Sequence, residues 1–105
     1  MIRAMIGAAA LLLLSAASRA GTGELILFEK AGFNGDIYGI DRARPSIDLY
    51  WTVGSIAVHS GEKWQVCALP RYQGRCAILS DDVRDVAEAG MSDRVFSARP
   101  VHDQH

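Results

Sequence analysis

After the first twenty residues, short runs rich in β-branched, aromatic and leucine side chains are each ended by Gly, Asn, Asp or Pro. Six such runs predict strands over Glu24–Glu29, Asp36–Ile40, Gly54–Val58, Lys63–Leu69, Arg75–Leu79 and Val95–Val101. Regularly spaced short strands of this kind are the pattern of a sandwich or barrel. Alternation is clearest in the run from Trp64 to Leu69, where Trp64, Val66 and Ala68 share one face and Gln65, Cys67 and Leu69 the other. Both of those faces are fairly apolar, so this run alone does not decide which one is buried. One segment has helical spacing: in Asp81–Ala89, Val83, Val86 and Ala87 recur at three- and four-residue steps. Ser80 can cap its first turn, Asp81 and Asp82 suit the positive end of its dipole, and Gly90 can end it. The expectation is an all-β, two-sheet sandwich with one short helix.

The chain also repeats itself, and a repeat bears on architecture before single motifs do. Phe28 to Asp36, FEKAGFNGD, returns as Cys67 to Arg75, CALPRYQGR. Each copy places an aromatic, Phe33 or Tyr72, two residues before a glycine, Gly35 or Gly74. Downstream of each lies a serine in an apolar stretch, Ser55 or Ser97. That spacing suits a hairpin folded back over its own sheet. The ring covers the apolar base of the turn, the glycine supplies a positive φ that a β-carbon resists, and the serine hydroxyl ties the next strand to the hairpin.

Residues 1–20 differ from everything that follows. Arg3 near the start, the apolar stretch Ala8–Leu14 and the small residues around Ser18 and Ala20 match a secretory signal peptide cut after Ala20. The apolar run is too short for the roughly 18 to 20 residues of a bilayer span. What remains, residues 21–105, is a single domain of 85 residues, near the lower end of what folds alone. Arg3 and Arg19 lie ahead of the cut and all 12 acidic residues after it, which takes the net charge from −1 to −3. A weakly acidic domain carries no nucleic-acid-binding footprint. Cys67 and Cys76 are the only cysteines, and in an oxidising compartment an even count at short spacing points to a disulfide. Without a Cys-x-x-Cys pair or a histidine at ligand spacing, a zinc site or redox pair fits less well.

With these residues in hand, the chain resembles the βγ-crystallin superfamily. Its Greek-key signature is an aromatic, four or five residues, a second aromatic, one residue and Gly, with a later Ser. Phe28, Phe33, Gly35 and Ser55 match it in the first copy. Tyr72, Gly74 and Ser97 match it in the second, with Cys67 in place of the leading aromatic. The segments around Trp51–Ile56, Gly61–Trp64 and Met91–Val95 are also similar to bacterial members. The resemblance implies Greek keys over about 24–60 and 62–101 and two four-stranded sheets packed as a wedge, each motif lending a strand to the other's sheet. It also implies calcium, which many microbial members hold between the repeats through a segment of two Asn/Asp, two residues, Ser/Thr and Ser. The first such segment here, Tyr50 to Ser55, has no leading acid and Gly54 in place of a hydroxyl; the second, Ser92 to Ser97, keeps Asp93 and Ser97 but has Phe96 where a hydroxyl belongs. Calcium takes six to eight oxygens, and the surviving set implied here is Asp93, Ser97 and the carbonyl of Glu29.

Catalytic chemistry finds little to build on. Ser55, Ser60 and Ser97 are candidate nucleophiles and His59 the one named base, but His59 and Ser60 are adjacent and would face opposite sides of a strand. His102 and His105 sit in a short tail, and such termini usually stay solvated. The leading expectation is a non-enzymatic structural or interaction domain, secreted or periplasmic and monomeric. It has no cofactor and no membrane attachment after cleavage, and its partner is a protein or a cell-envelope component. The alternatives are a weak calcium-binding module, and a secreted protease inhibitor whose reactive loop is the turn Leu69–Tyr72 clamped by Cys67 and Cys76.

Overall fold

The computed structural model describes residues 24–102, and the signal-peptide reading of residues 1–20 lies outside them, as does His105. Six strands occur in the order β1 (Leu25–Lys30), β2 (Asn34–Ile40), β3 (Ser55–Val58), β4 (Trp64–Leu69), β5 (Gln73–Leu79) and β6 (Ser97–Pro100). All six coincide with the runs read from the sequence, with ends displaced by one or two residues. They form two antiparallel three-stranded sheets, β2-β1-β3 and β5-β4-β6.

The two sheets repeat one register. Phe28 lies opposite Ile37 and Ser55 in the first, and Cys67 opposite Cys76 and Ser97 in the second. Each hairpin shifts register just before its turn, between Phe28 and Lys30 and between Cys67 and Leu69. The core lies between the sheets. Leu25 and Leu27 on β1 are fully buried while Ile26 and Phe28 are half-buried, the period-two pattern of a strand with one inward face. Trp64 and Val66 do the same on β4, meeting Ile40, Ile56, Val95 and Ala98. Burying a side chain of this size contributes about 1.5–3 kcal/mol, so these few positions decide which face of each sheet turns inward.

Each motif lends a segment to the other's sheet, but a fourth strand does not extend on either side. Val83 pairs with Ile56 of β3, and Arg44 with Ala98 of β6, as isolated bridges. Arg44 exchanges both backbone bonds with Ala98, at 2.7 and 3.0 Å. Beyond it the contact continues only irregularly, with Ile47 N–H donating to the Phe96 carbonyl at 2.8 Å. On the other side the Asp82 carboxylate, rather than a backbone carbonyl, accepts the Val58 N–H at 2.7 Å.

The same pairing accounts for a departure from the expected short helix over Asp81–Ala89, which is not formed. The N–H and C=O of Val83 are both bonded to Ile56, at 2.8 and 2.9 Å, so its backbone is committed to the sheet. What remains of the helical pattern is a turn over residues 86–90. The Asp85 carboxylate caps it through Ala87 N–H at 3.0 Å, and Gly90 closes it at a φ of 73°. Among the described residues the one helical element is a 3-10 turn, Pro70–Tyr72, between β4 and β5.

Candidate functional site

The residues that carry the repeat converge on two matched hairpin corners. In the first, the Ser55 hydroxyl donates to the Lys30 carbonyl at 2.6 Å and accepts the Phe33 N–H at 2.9 Å. In the second, the Ser97 hydroxyl donates to the Leu69 carbonyl at 2.6 Å and accepts the Tyr72 N–H at 2.9 Å. Both serines are completely buried. Each turn carries an aromatic in the left-handed region, Phe33 at φ 63° and Tyr72 at φ 60°, with Arg71 also at 60°. A side chain pays for that conformation, and the serine's hold on the turn offsets it. Gly35 and Gly74 follow at φ 85° and 79°. A β-carbon added at Gly74 would meet only the side chain of exposed Leu69, so it is φ that demands glycine there.

The corners differ in how the aromatic is covered. Phe33 stands edge-on to Phe28, with ring centroids 5.6 Å apart and planes at 78°. The second repeat has Cys67 at that register position, bonded to Cys76 as expected, and Cys67 is buried. Tyr72 instead lies under the Arg99 guanidinium, 4.1 Å from the ring centroid, and Arg99 is held by Nε donating to Gln65 Oε1 at 2.8 Å. Arg99 was not singled out in the sequence. Its signal is the repeat itself, because losing the leading aromatic leaves the second ring in need of another cover. The disulfide therefore closes a hairpin whose first-repeat counterpart is stabilised by ring contact. Its reduction should lower stability by about 2–3 kcal/mol in the chain-entropy model, measured as the denaturation midpoint with and without reductant; an unchanged midpoint would show that the bond constrains nothing.

The Ser55 and Ser97 hydroxyls thus hold the two corners, while Ser60 is exposed in the turn beyond β3. Ser55 and Ser97 face their own hairpins, and His59 is exposed in a tight turn beyond β3, where its carbonyl accepts the Glu62 N–H at 3.0 Å. Of the calcium set, Ser97 Oγ holds the second corner, and Asp93 is exposed with its backbone carbonyl accepting the Val53 N–H at 2.8 Å. In the first segment a β-carbon on Gly54 would lie 2.5 Å from the Lys30 carbonyl carbon and 2.6 Å from Ala31 N. The position of the missing hydroxyl is therefore walled by backbone. One carboxylate beside hydroxyls already in use is a poor match to a shell of six to eight oxygens. No group of three or more His, Cys, Asp or Glu side chains is gathered for a metal among the described residues.

The turn from Leu69 to Tyr72 is largely exposed, as expected, but its backbone is tied to the rest of the domain. Arg71 N–H donates to the Pro45 carbonyl at 2.8 Å, and Leu69 O and Tyr72 N–H are both tied to Ser97. Its φ of 60° at two successive residues is far from the extended backbone that adds as a strand to a partner. Asp41 and Arg42 form an exposed ion pair at 2.9 Å, and the guanidinium holds the Asp41 carboxyl below its ordinary range.

Comparison with known proteins fits this geometry. A βγ-crystallin from an archaeon matches with a TM-score of 0.66 at 25% identity, covering 77% of this chain and all of that one. A βγ-crystallin from Ciona intestinalis matches with a TM-score of 0.66 at 24% identity, over 75% of this chain and all of its own. A transition-metal-ion-binding βγ-crystallin from Methanosaeta thermophila matches with a TM-score of 0.64 at 21% identity, over 73% of this chain and 99% of its own. No curated protein matches the chain. The family model for beta/gamma crystallin matches residues 24–101. With both serine-tied corners and the exchanged segments in place, the chain belongs to the βγ-crystallin family.

Proposed function

We propose that this domain is an exported, non-enzymatic structural or interaction module of the cell envelope or its surroundings, working without a bound cofactor. The observation that carries this reading is the use made of its most chemically capable residues. Both motif serines are fully buried and spend their hydroxyls on the hairpin corners. The Cys67–Cys76 disulfide supports export, because such bonds persist in oxidising compartments. On this reading residues 1–20 are removed and the protein acts as a monomer with a protein or cell-envelope partner.

Two measurements test it. Protein recovered from the periplasm or medium should begin at Gly21 and show no reactive thiol under denaturing conditions; an intact Met1 start with two reactive thiols would contradict export. A screen of hydrolase substrates should show no turnover, and an activity abolished by His59→Ala would establish an enzyme instead.

A further inference from the structure

Beside the disulfide the molecule has a concavity that neither the corners nor the core requires. It encloses about 180 Å³ between β4, β5 and the segment that follows the turn over residues 86–90. Buried Val66 and Val95 and half-buried Met91 supply apolar lining, and the disulfide forms part of its wall. Two arginines, Arg75 and Arg94, line it, and no carboxylate does among the described residues. In a domain that is acidic overall, this is a local reversal of sign.

Neither guanidinium has an ion pair among the described residues. Arg75 donates to the Gly90 carbonyl at 3.0 Å, which fixes it on the cleft while most of its five donors have no partner among the described residues. The Arg94 side chain has neither an ion pair nor a hydrogen bond among the described residues. Guanidinium forks match planar carboxylates through paired, charge-assisted bonds. The apolar lining calls for a hydrocarbon body behind that head. The space is well below the roughly 300–1,000 Å³ of pockets for drug-sized ligands, so the molecule is small.

We propose that this cleft binds a small aliphatic carboxylate, its head between Arg75 and Arg94 and its chain against Val66, Met91 and Val95. This site goes beyond a structural role and stands whether or not the domain is exported.

The test is a titration of the oxidised protein with hexanoate, followed by the backbone amide resonances of Ala77, Met91 and Val95. Hexanamide, hexylammonium and inorganic phosphate serve as parallel probes. Saturable shifts are expected with hexanoate, and at least tenfold weaker binding with hexanamide, because a charge-assisted bond contributes that much. Hexylammonium should not bind, and Arg94→Gln should weaken hexanoate about tenfold while the apo spectrum keeps its dispersion. No shift with hexanoate, equal binding of hexanamide, or insensitivity to Arg94→Gln overturns the site. Phosphate binding as tightly as hexanoate overturns the apolar half of the assignment. The comparison of probes on the unmodified protein decides the matter even if the variant fails to fold.

Discussion

Ser97→Ala should lower the unfolding free energy by about 2–4 kcal/mol, and Ser55→Ala by a similar amount. Each hydroxyl leaves two backbone groups behind. Removing Ser97 Oγ strips the Leu69 carbonyl of a donor and the Tyr72 N–H of an acceptor in one step, beneath a serine that is itself fully buried at a part-buried corner. Each unsatisfied buried group costs about 1–3 kcal/mol. Net stabilities of domains are only about 5–15 kcal/mol, so either change removes a large fraction of the total. In a domain of this size the midpoint falls by about 10 °C or more. Thermal or urea unfolding of the two variants checks this. A loss under about 0.5 kcal/mol in both would show that the corners do not depend on the serines.

Gly54→Ser, the change that would rebuild the missing calcium hydroxyl of the first segment, should instead destabilise the domain by about 3 kcal/mol. The new β-carbon meets Lys30 and Ala31 backbone atoms at 2.5–2.7 Å, and backbone cannot swing aside as a side-chain tip can. Shifting that strand also disturbs the bonds from Gly54 N–H to Phe28 O and from Val86 N–H to Gly54 O. Gly90→Ala is the informative control. Gly90 sits at a φ of 73° with nothing within 4 Å, so only conformational strain of about 1–2 kcal/mol applies. Equal losses in the two variants, read from urea midpoints, would remove the steric argument.

Much of this architecture was legible before any coordinates. The six strands follow from apolar runs bounded by turn residues, and the matched spacing of Phe33, Gly35 and Ser55 with Tyr72, Gly74 and Ser97 carried both corners. The pairing of Cys67 with Cys76 followed from their count and spacing. The helix over Asp81–Ala89 was misread because its apolar spacing is also what a bridge at Val83 and a turn ending at Gly90 produce. Periodicity cannot register that Val83 spends both backbone groups on Ile56, a partner 27 residues away. The lent strands fell short for the same reason, since the length of a pairing between distant segments depends on contacts that sequence order does not carry. Arg99 over Tyr72 and the two arginines beside the disulfide were not read from the sequence at all. For Arg99 the repeat carried a signal, in the missing leading aromatic, but for Arg75 and Arg94 nothing in the linear order marks that a strand and a loop bring them to one cleft.

On this reading the Ser55 and Ser97 hydroxyls hold their own hairpins rather than a metal. Thermal unfolding of the oxidised protein in chelator and again in about 1 mM calcium tests it most directly, because a ligand bound only by the folded state raises the midpoint in proportion to RT ln(1 + [L]/Kd). The account predicts coincident curves. A site with a dissociation constant of about 0.1 mM would add about 1.4 kcal/mol and several degrees, and such a rise, lost in Asp93→Ala, would contradict the account and make this a calcium-binding module.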